Sequence, residues 1–216
     1  TGDPVVRDVR QESQDVARFD AWAPVYESSA LQEVFYARLH SRVLRFASRS
    51  GPAPRRMMDV GCGTGRLLRT AAATFPDTRM VGVDFSAGMV EQARAITSPG
   101  ECGTFVQAES AALPFADGAF GIVTCTACSH HWPEPTAALA ELRRVTAVGG
   151  VLILAHLRGV APWDQPGAGT VRRRGVRIPS GLAVPLLDGG FRIADAALFA
   201  ECPLMPATVV LCARRR

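Results

Sequence analysis

The spacing of apolar positions changes period along this chain, and each change marks an element. From Val16 the sequence VARFDAWAPVYESSALQEVFYARLHSRVLRFA reads as two helical stretches around Pro24. Leu31, Val34, Phe35, Leu39, Val43 and Phe46 recur at short helical intervals and build one apolar face for packing. The breaker-rich SRSGPAPRR, Ser48 to Arg56, separates this helical part from the remainder of the chain. Short apolar runs then alternate with helical patterns. Strands are predicted over Met57–Val60, Met80–Val83, Thr104–Gln107, Gly121–Thr126 and Val151–His156. Helices are predicted over Arg66–Thr74, Ala87–Ile96 and Pro135–Val145, with Ser86 placed to cap the second and Gly149-Gly150 to end the third. Alternation of this kind is what a parallel sheet requires. Leu157 to Arg177 reads as irregular, and a short helix near Ser180–Leu187 stops at Gly189-Gly190. Ile193–Phe199 and Thr208–Ala213 read as the last two strands, and the polar residues 1–15 as a frayed end or short first helix.

Composition narrows the class. A chain of 216 residues is long enough for one domain with a full core, and 48% apolar with 20% charged residues is ordinary for a globular protein. No apolar run approaches the roughly 20 residues of a membrane span, and no basic-plus-apolar leader opens the sequence, so no membrane insertion and a cytoplasmic location are expected. A net charge of +4 is too small to argue for nucleic acid. All 24 basic residues are arginine, which removes Schiff-base chemistry and a P-loop lysine. Six cysteines lack the density of a disulfide framework.

The chemistry gathers around MMDVGCGTGRLL, Met57 to Leu68. A buried strand ends in Asp59 and Val60, glycines turn the chain, and a helix comes next. Glycines let backbone approach a ligand, and free N–H groups at a helix start attract polar or negative ligand groups. The spacing is G-x-G-x-G, not the dinucleotide G-x-G-x-x-G. Asp84 ends the second strand, where an acid can accept from both ribose hydroxyls.

DVGCGTG, VGVDFS, ESAALPFADGAFGIV, HHWPEP and ELRRVTAVGGVLILA, in that order, resemble the class I S-adenosylmethionine-dependent methyltransferases. The resemblance is strongest to the small-molecule branch that includes the ubiquinone and menaquinone C-methyltransferases, and it runs from about Phe19 to Ala155. It implies an α/β, Rossmann-like fold: a mostly parallel seven-stranded sheet with an antiparallel last strand and helices on both faces. Residues 1–50 would form an N-terminal helical lid segment and 51–216 the S-adenosylmethionine-binding domain. By the same resemblance Asp59 holds the methionyl ammonium, and Gly61, Cys62, Gly63 and Gly65 line the homocysteine moiety with backbone. Asp84 takes the ribose diol, Phe85 and Met89 flank the adenine, and Glu109 and the Ser110 amide read its edge. The backbone at Cys125 and Thr126 accepts from the ammonium, and Tyr26 closes over the donor. The product would be S-adenosylhomocysteine. Most relatives carry Phe-Asp where this chain has Phe120-Gly121, a change that bears on local stability.

Methyl transfer is an in-line displacement, so the protein mainly aligns donor and acceptor and excludes water. A general base is needed when the acceptor proton is tightly held. His130 and His131, directly after strand four, are the candidates, and Trp132 is a candidate pocket wall. Cys125-x-x-Cys128-x-His130-His131 has the composition of a zinc site, but without paired ligands on two separated knuckles no metal is expected. The expected partner is a small organic acceptor methylated at O, N or C. The chain reads Thr126-Ala127-Cys128-Ser129 where nucleic-acid amine methyltransferases carry an Asn/Asp-Pro-Pro-aromatic motif, so nucleic acid is not expected. Arg172 to Arg174 can attract an acidic acceptor or remain a solvated loop. The alternative function is a non-catalytic, cofactor-binding accessory protein of the same fold.

Overall fold

The computed structural model describes residues 9–98, 103–132, 135–165, 167, 169–200 and 205–216. Its centre is set by strands apolar on both sides. In β1 (Arg56–Val60) and β2 (Arg79–Asp84) every residue after the leading arginine is buried, and β4 (Phe120–Thr126) is nearly so. Strands covered on both faces have no solvent side to alternate towards, so they read as continuous apolar runs. With β3 (Thr104–Gln107), β5 (Thr146–Leu157), β8 (Phe191–Phe199) and β9 (Thr208–Arg215) they form one seven-stranded sheet in the order β3-β2-β1-β4-β5-β9-β8. The first five strands pair in parallel, and β9 lies antiparallel between β5 and β8.

Side-chain alternation sorts the core into two layers. Met57, Met80, Ile122 and Ile153 face α2 (Ala37–Arg49), α3 (Arg66–Thr74) and α4 (Ala87–Ile96). Met58, Val83, Val123, Leu152 and Leu211 face α5 (Pro135–Val145) and α6 (Ser180–Asp188). Asp59 and Thr124 share the first face and are register partners on adjacent strands. The strand order reverses at β1, so the crevice at the carboxyl ends of β1, β2 and β4 is where a sheet of this kind receives ligands.

Several local expectations are corrected. The N-terminal helix α1 runs unbroken through Val9–Tyr26 with Pro24 in its last turn; a π-helical turn, Gln32–Tyr36, then leads into α2. Gly149-Gly150 does not end α5. The chain passes from Val145 straight into β5, where Thr146 pairs with Phe120 and the register shifts opposite Gly121. The irregular stretch contains a hairpin, β6 (Thr170–Arg173) with β7 (Val176–Pro179), turning on Arg174 and Gly175, both with positive φ. Val171 and Ile178 are paired across it and pack into the second core layer, leaving Arg172 and Arg177 exposed on the other side. Gly121 has a steric reason: a Cβ there would lie 2.8 Å from Pro54 Cβ. Residues 1–8, the first part of the polar end, lie outside the described residues.

Candidate functional site

The glycine turn is fixed by the sheet beside it. The Gly61 and Cys62 amides both donate to the Val83 carbonyl, at 2.8 and 3.0 Å, which ties the turn to the end of β2. Gly61 has φ +70°, and a Cβ there would sit 2.5 Å from Cys128 Cβ. Gly65 takes φ +79° as the cap of α3, with the Phe105 ring filling the space a side chain would need. Glycine is the one residue these two places accept without strain. Cys62 is buried, its thiol pushed well above its usual range by burial and then by Asp84 and Asp59.

Two carboxyl groups stand at the strand tips. Asp84 accepts from the Gly63 amide at 2.8 Å and from the Ser86 amide at 3.0 Å. Asp59 accepts from the Thr124 hydroxyl at 2.7 Å. Burial raises Asp59 to about 7 and Asp84 to about 6, against the hydrogen bonds, which pull each down. A buried carboxyl near neutrality favours a ligand that brings a cation or good donors.

The wall over these groups comes from α1. Asp15, Phe19, Trp22 and Tyr26 follow one another at spacings of four, three and four, which places them on one helix face. Phe19 meets Phe85 edge-on at 5.6 Å and His131 at 5.1 Å, and Trp22 meets Tyr26 at 4.6 Å. The Tyr26 ring lies beside Gly63, 3.4 Å from where a Cβ would be, and its hydroxyl bonds with Tyr36. Burial, then Tyr36, raises that hydroxyl far above the ordinary phenol range. Two polar fastenings hold the helix down. Asp20 accepts from the Ser86 hydroxyl and the Gly88 amide at the start of α4, a place where negative charge is favoured. Glu27 accepts from the Thr64 hydroxyl and pairs with Arg69 at 2.7 Å.

After β4 the chain turns sharply at Ala127, φ +52°, and presents Ser129, His130 and His131 in one short 3-10 turn. Ser129 Oγ lies 3.0 Å from His156 Nδ1, and His156 Nε2 lies 2.9 Å from Asp164 Oδ2. These have the composition of a hydrolase triad. Yet Ser129 and His156 are 0% exposed, and the hydroxyl meets Nδ1 where a triad uses Nε2, so the chain of bonds serves as a strut under the turn. The two adjacent histidines differ. His131 Nδ1 is 3.2 Å from Asp15 Oδ2, whereas His130 Nδ1 is buried without a partner among the described residues. Desolvation lowers both, His130 to about 3, while Asp15 opposes the fall at His131. Trp132 is buried and packs in the second core layer.

The remaining predicted positions fall around the same crevice. Met89 is buried in the first turn of α4, and Cys125 is buried at the end of β4 with its sulfur 2.6 Å from that of Cys128. Glu109 is exposed and Ser110 half-buried on the loop after β3. Arg144 fastens that loop to α5, donating to the Leu113 and Phe115 carbonyls while paired with Glu141 and Asp117. Among the described residues no group of three or more His, Cys, Asp or Glu side chains is placed to hold a metal. The sequence reading missed Asp15, Asp20, Glu27, Thr124 and the His156–Asp164 pair. Only the helical spacing of Asp15 with Phe19, Trp22 and Tyr26 was there to be found.

Comparison with known proteins bears on this arrangement. Residues 58–154 match the family model described as a methyltransferase domain. The chain is 36% identical over 105 residues to malonyl-acyl-carrier-protein O-methyltransferase of Legionella pneumophila, covering 49% of this chain and 37% of that protein. It is 38% identical over 103 residues to demethylmenaquinone methyltransferase of Thermus thermophilus, covering 47% of each. These matches thus span less than half the length of either relative. Among solved structures, magnesium protoporphyrin IX methyltransferase from Synechocystis, with bound S-adenosylmethionine, superposes over 100% of both chains with a TM-score of 0.67 at 21% identity. Residues 58–154 thus match a methyltransferase domain, and the chain shares its Rossmann-like fold with S-adenosylmethionine-dependent methyltransferases, the family its motifs resemble.

Proposed function

We propose that this chain transfers a methyl group from S-adenosylmethionine to O, N or C of a small organic acceptor. The observation that carries the reading is the pair of buried carboxyls, Asp59 and Asp84, flanking a glycine turn at the tips of adjacent strands, in a stretch that matches a methyltransferase domain. The donor supplies a methyl carbon already activated by its sulfonium. The chain's part is to bind, orient and shield. Asp59 offers a carboxylate to the methionyl ammonium, and its raised pKa marks a charge that lacks a counter-ion in the free protein. Asp84 would accept from the ribose diol, and the turn Gly61-Cys62-Gly63, with Gly65, would line the homocysteine moiety with backbone. Met89 and Phe85 sit beside the start of α4, where adenine would lie, with Glu109 and Ser110 at its edge and the Cys125 backbone towards the ammonium. Tyr26, Trp22 and Phe19 exclude water from above. His131 or His130, held neutral at pH 7 by desolvation, takes a proton from the acceptor where the acceptor has one to give.

Relatives named for demethylmenaquinone and for malonyl-acyl-carrier protein bracket the acceptors worth testing, and the ring-lined wall favours flat, apolar ones first. Calorimetric titration with S-adenosylhomocysteine tests the binding half. Release of that product in the presence of hydroquinones, phenols and carboxylic acids tests the transfer half. Neither heat nor a thermal shift with either nucleoside would end this reading.

A further inference from the structure

The lid helix carries part of the base. We propose that Asp15 is a positioning residue for His131: it fixes the imidazole as an Nε2 base, so that the base is complete only while α1 lies across the site. The inference rests on the methyltransferase reading and chooses between the two histidines that reading leaves open.

Chemistry fixes the tautomer. A carboxylate can only accept, so the 3.2 Å contact with Asp15 Oδ2 puts the imidazole proton on Nδ1 and the lone pair on Nε2. Asp15 is itself held, its other oxygen paired with Arg18 at 2.9 Å. Phe19, one turn further along α1, meets the His131 ring edge-on at an interplanar angle of 89° and touches Phe85, the residue after Asp84, on its other side. The imidazole is thereby fixed in tautomer and in plane, one ring away from the proposed cofactor site. Among the described residues His130 has neither restraint.

The charged and titratable groups facing His131 are Asp15 and Arg18 from α1 and His130 from its own turn, with the two histidine rings 4.0 Å apart. Burial and then Arg18 oppose an imidazolium there, and Asp15 stabilises it. For a hydroxyl acceptor, the O–C bond forms as the donor's C–S bond breaks, and sulfur keeps the electron pair. The hydroxyl proton passes to Nε2, and the Asp15 carboxylate balances the new charge. Asp15 is 116 residues from His131 and belongs to no strand of the sheet. Docking of α1 does not depend on it, because Asp20 and Glu27 fasten the helix separately.

The test is Asp15→Asn in the full chain, read first without cofactor. The chain has four histidines, so their imidazole titrations can be followed and assigned by NMR. The His131 pKa should fall in the variant and recover in part in Asp15→Glu, while His130 and His156 stay put. Affinity for S-adenosylhomocysteine should remain within about twofold of the parent, since α1 stays docked. With an acceptor in hand, kcat should fall by about tenfold or more, a part of the roughly 10²–10⁴-fold that general-base catalysis contributes. The acidic limb of kcat/KM should move to lower pH, and Asp15→Asn should add nothing in a His131→Ala background. An unmoved His131 titration overturns the pairing. An unmoved pH limb, or equal losses in the parent and His131→Ala backgrounds, overturns the role. Failure of the parent to bind the nucleoside would instead sink the methyltransferase reading, and the cofactor-free titration would still decide the pairing.

Discussion

If S-adenosylmethionine binds as proposed, its binding should release a proton, and Asp59 should be the group that releases it. Its carboxyl is 2% exposed, and burial raises it to about 7, so the free protein at pH 7 holds it roughly half protonated and at pH 6 about nine-tenths protonated. The methionyl ammonium favours the ionised form. Below neutrality, binding must therefore expel the proton, and apparent affinity must fall with pH. From pH 8 to pH 6 the protonated fraction of a group at about 7 rises enough to raise Kd about tenfold, or ~1.4 kcal/mol. Asp84, at about 6, adds about twofold by pH 6 and steepens the fall further below it. Titration calorimetry with S-adenosylhomocysteine at pH 6, in two buffers of different ionisation enthalpy, should show about 0.9 proton released from Asp59 and up to about half a proton more from Asp84. Asp59→Asn should lose the Asp59 share of that release and flatten the pH dependence between about pH 6 and pH 8. Zero proton exchange at pH 6, or a Kd level from pH 6 to pH 8, would refute the ammonium–carboxylate pairing. The same raised pKa fixes a sign for the unliganded fold. The folded carboxyl binds its proton more tightly than the unfolded one, so its contribution to stability is full below the unfolded value of 3.8 and is lost as pH rises through about 7.

Three further outcomes are expected. Asp84→Ala removes the acceptor of the Gly63 and Ser86 amides, and S-adenosylhomocysteine affinity should drop by about 1–3 kcal/mol, the cost of leaving buried donors unpaired; unchanged affinity by calorimetry would displace the ribose from this site. Leu142→Ala, at a position of 0% exposure between α5 and the sheet, should destabilise the protein by about 2–5 kcal/mol in denaturant titration, with the cofactor-binding site intact. His40, buried beside Arg66 and Arg69 and lowered to about 3 chiefly by desolvation, must stay neutral to stay folded; it contributes stability above its unfolded value of 6.5 that is lost as pH falls towards 3. His40→Met should accordingly make unfolding free energy decline less steeply between about pH 6 and pH 4, and an unchanged slope would show that this histidine is not the acid-sensitive group.

Local pattern determined a good deal of this protein. Met57–Val60, Met80–Val83 and Val151–His156 read as strands because residues buried on both faces leave no polar alternation. Ser86 read as a cap because its hydroxyl serves an amide three residues on, and here it accepts from Met89 at 3.1 Å. The glycine turn and the strand-end acids Asp59 and Asp84 lie within a few residues of the strands that position them. Where the pattern misled, a distant partner decided. Gly149-Gly150 carries the mark of a helix stop, but pairing with β4 draws that stretch into β5. The β6–β7 turn runs through Arg174 at φ +48°, a residue type with no preference for that conformation, and packing of Val171 and Ile178, with the Arg174 side chain donating to the Ala194 carbonyl, fixes the hairpin.

The polar bonds around the crevice had no local signature at all. Asp20 meets Ser86 across 66 residues, Glu27 meets Arg69 across 42, and Thr124 meets Asp59 across 65. A hydrogen bond joins groups by distance in space, and a sequence records distance only along the chain. The sequence therefore placed the turn, the acids and the two histidines at one edge of a sheet. Which histidine meets a carboxylate, and that the carboxylate comes from the helix laid over the crevice, was settled only when α1 folded back onto α4 and the turn after β4.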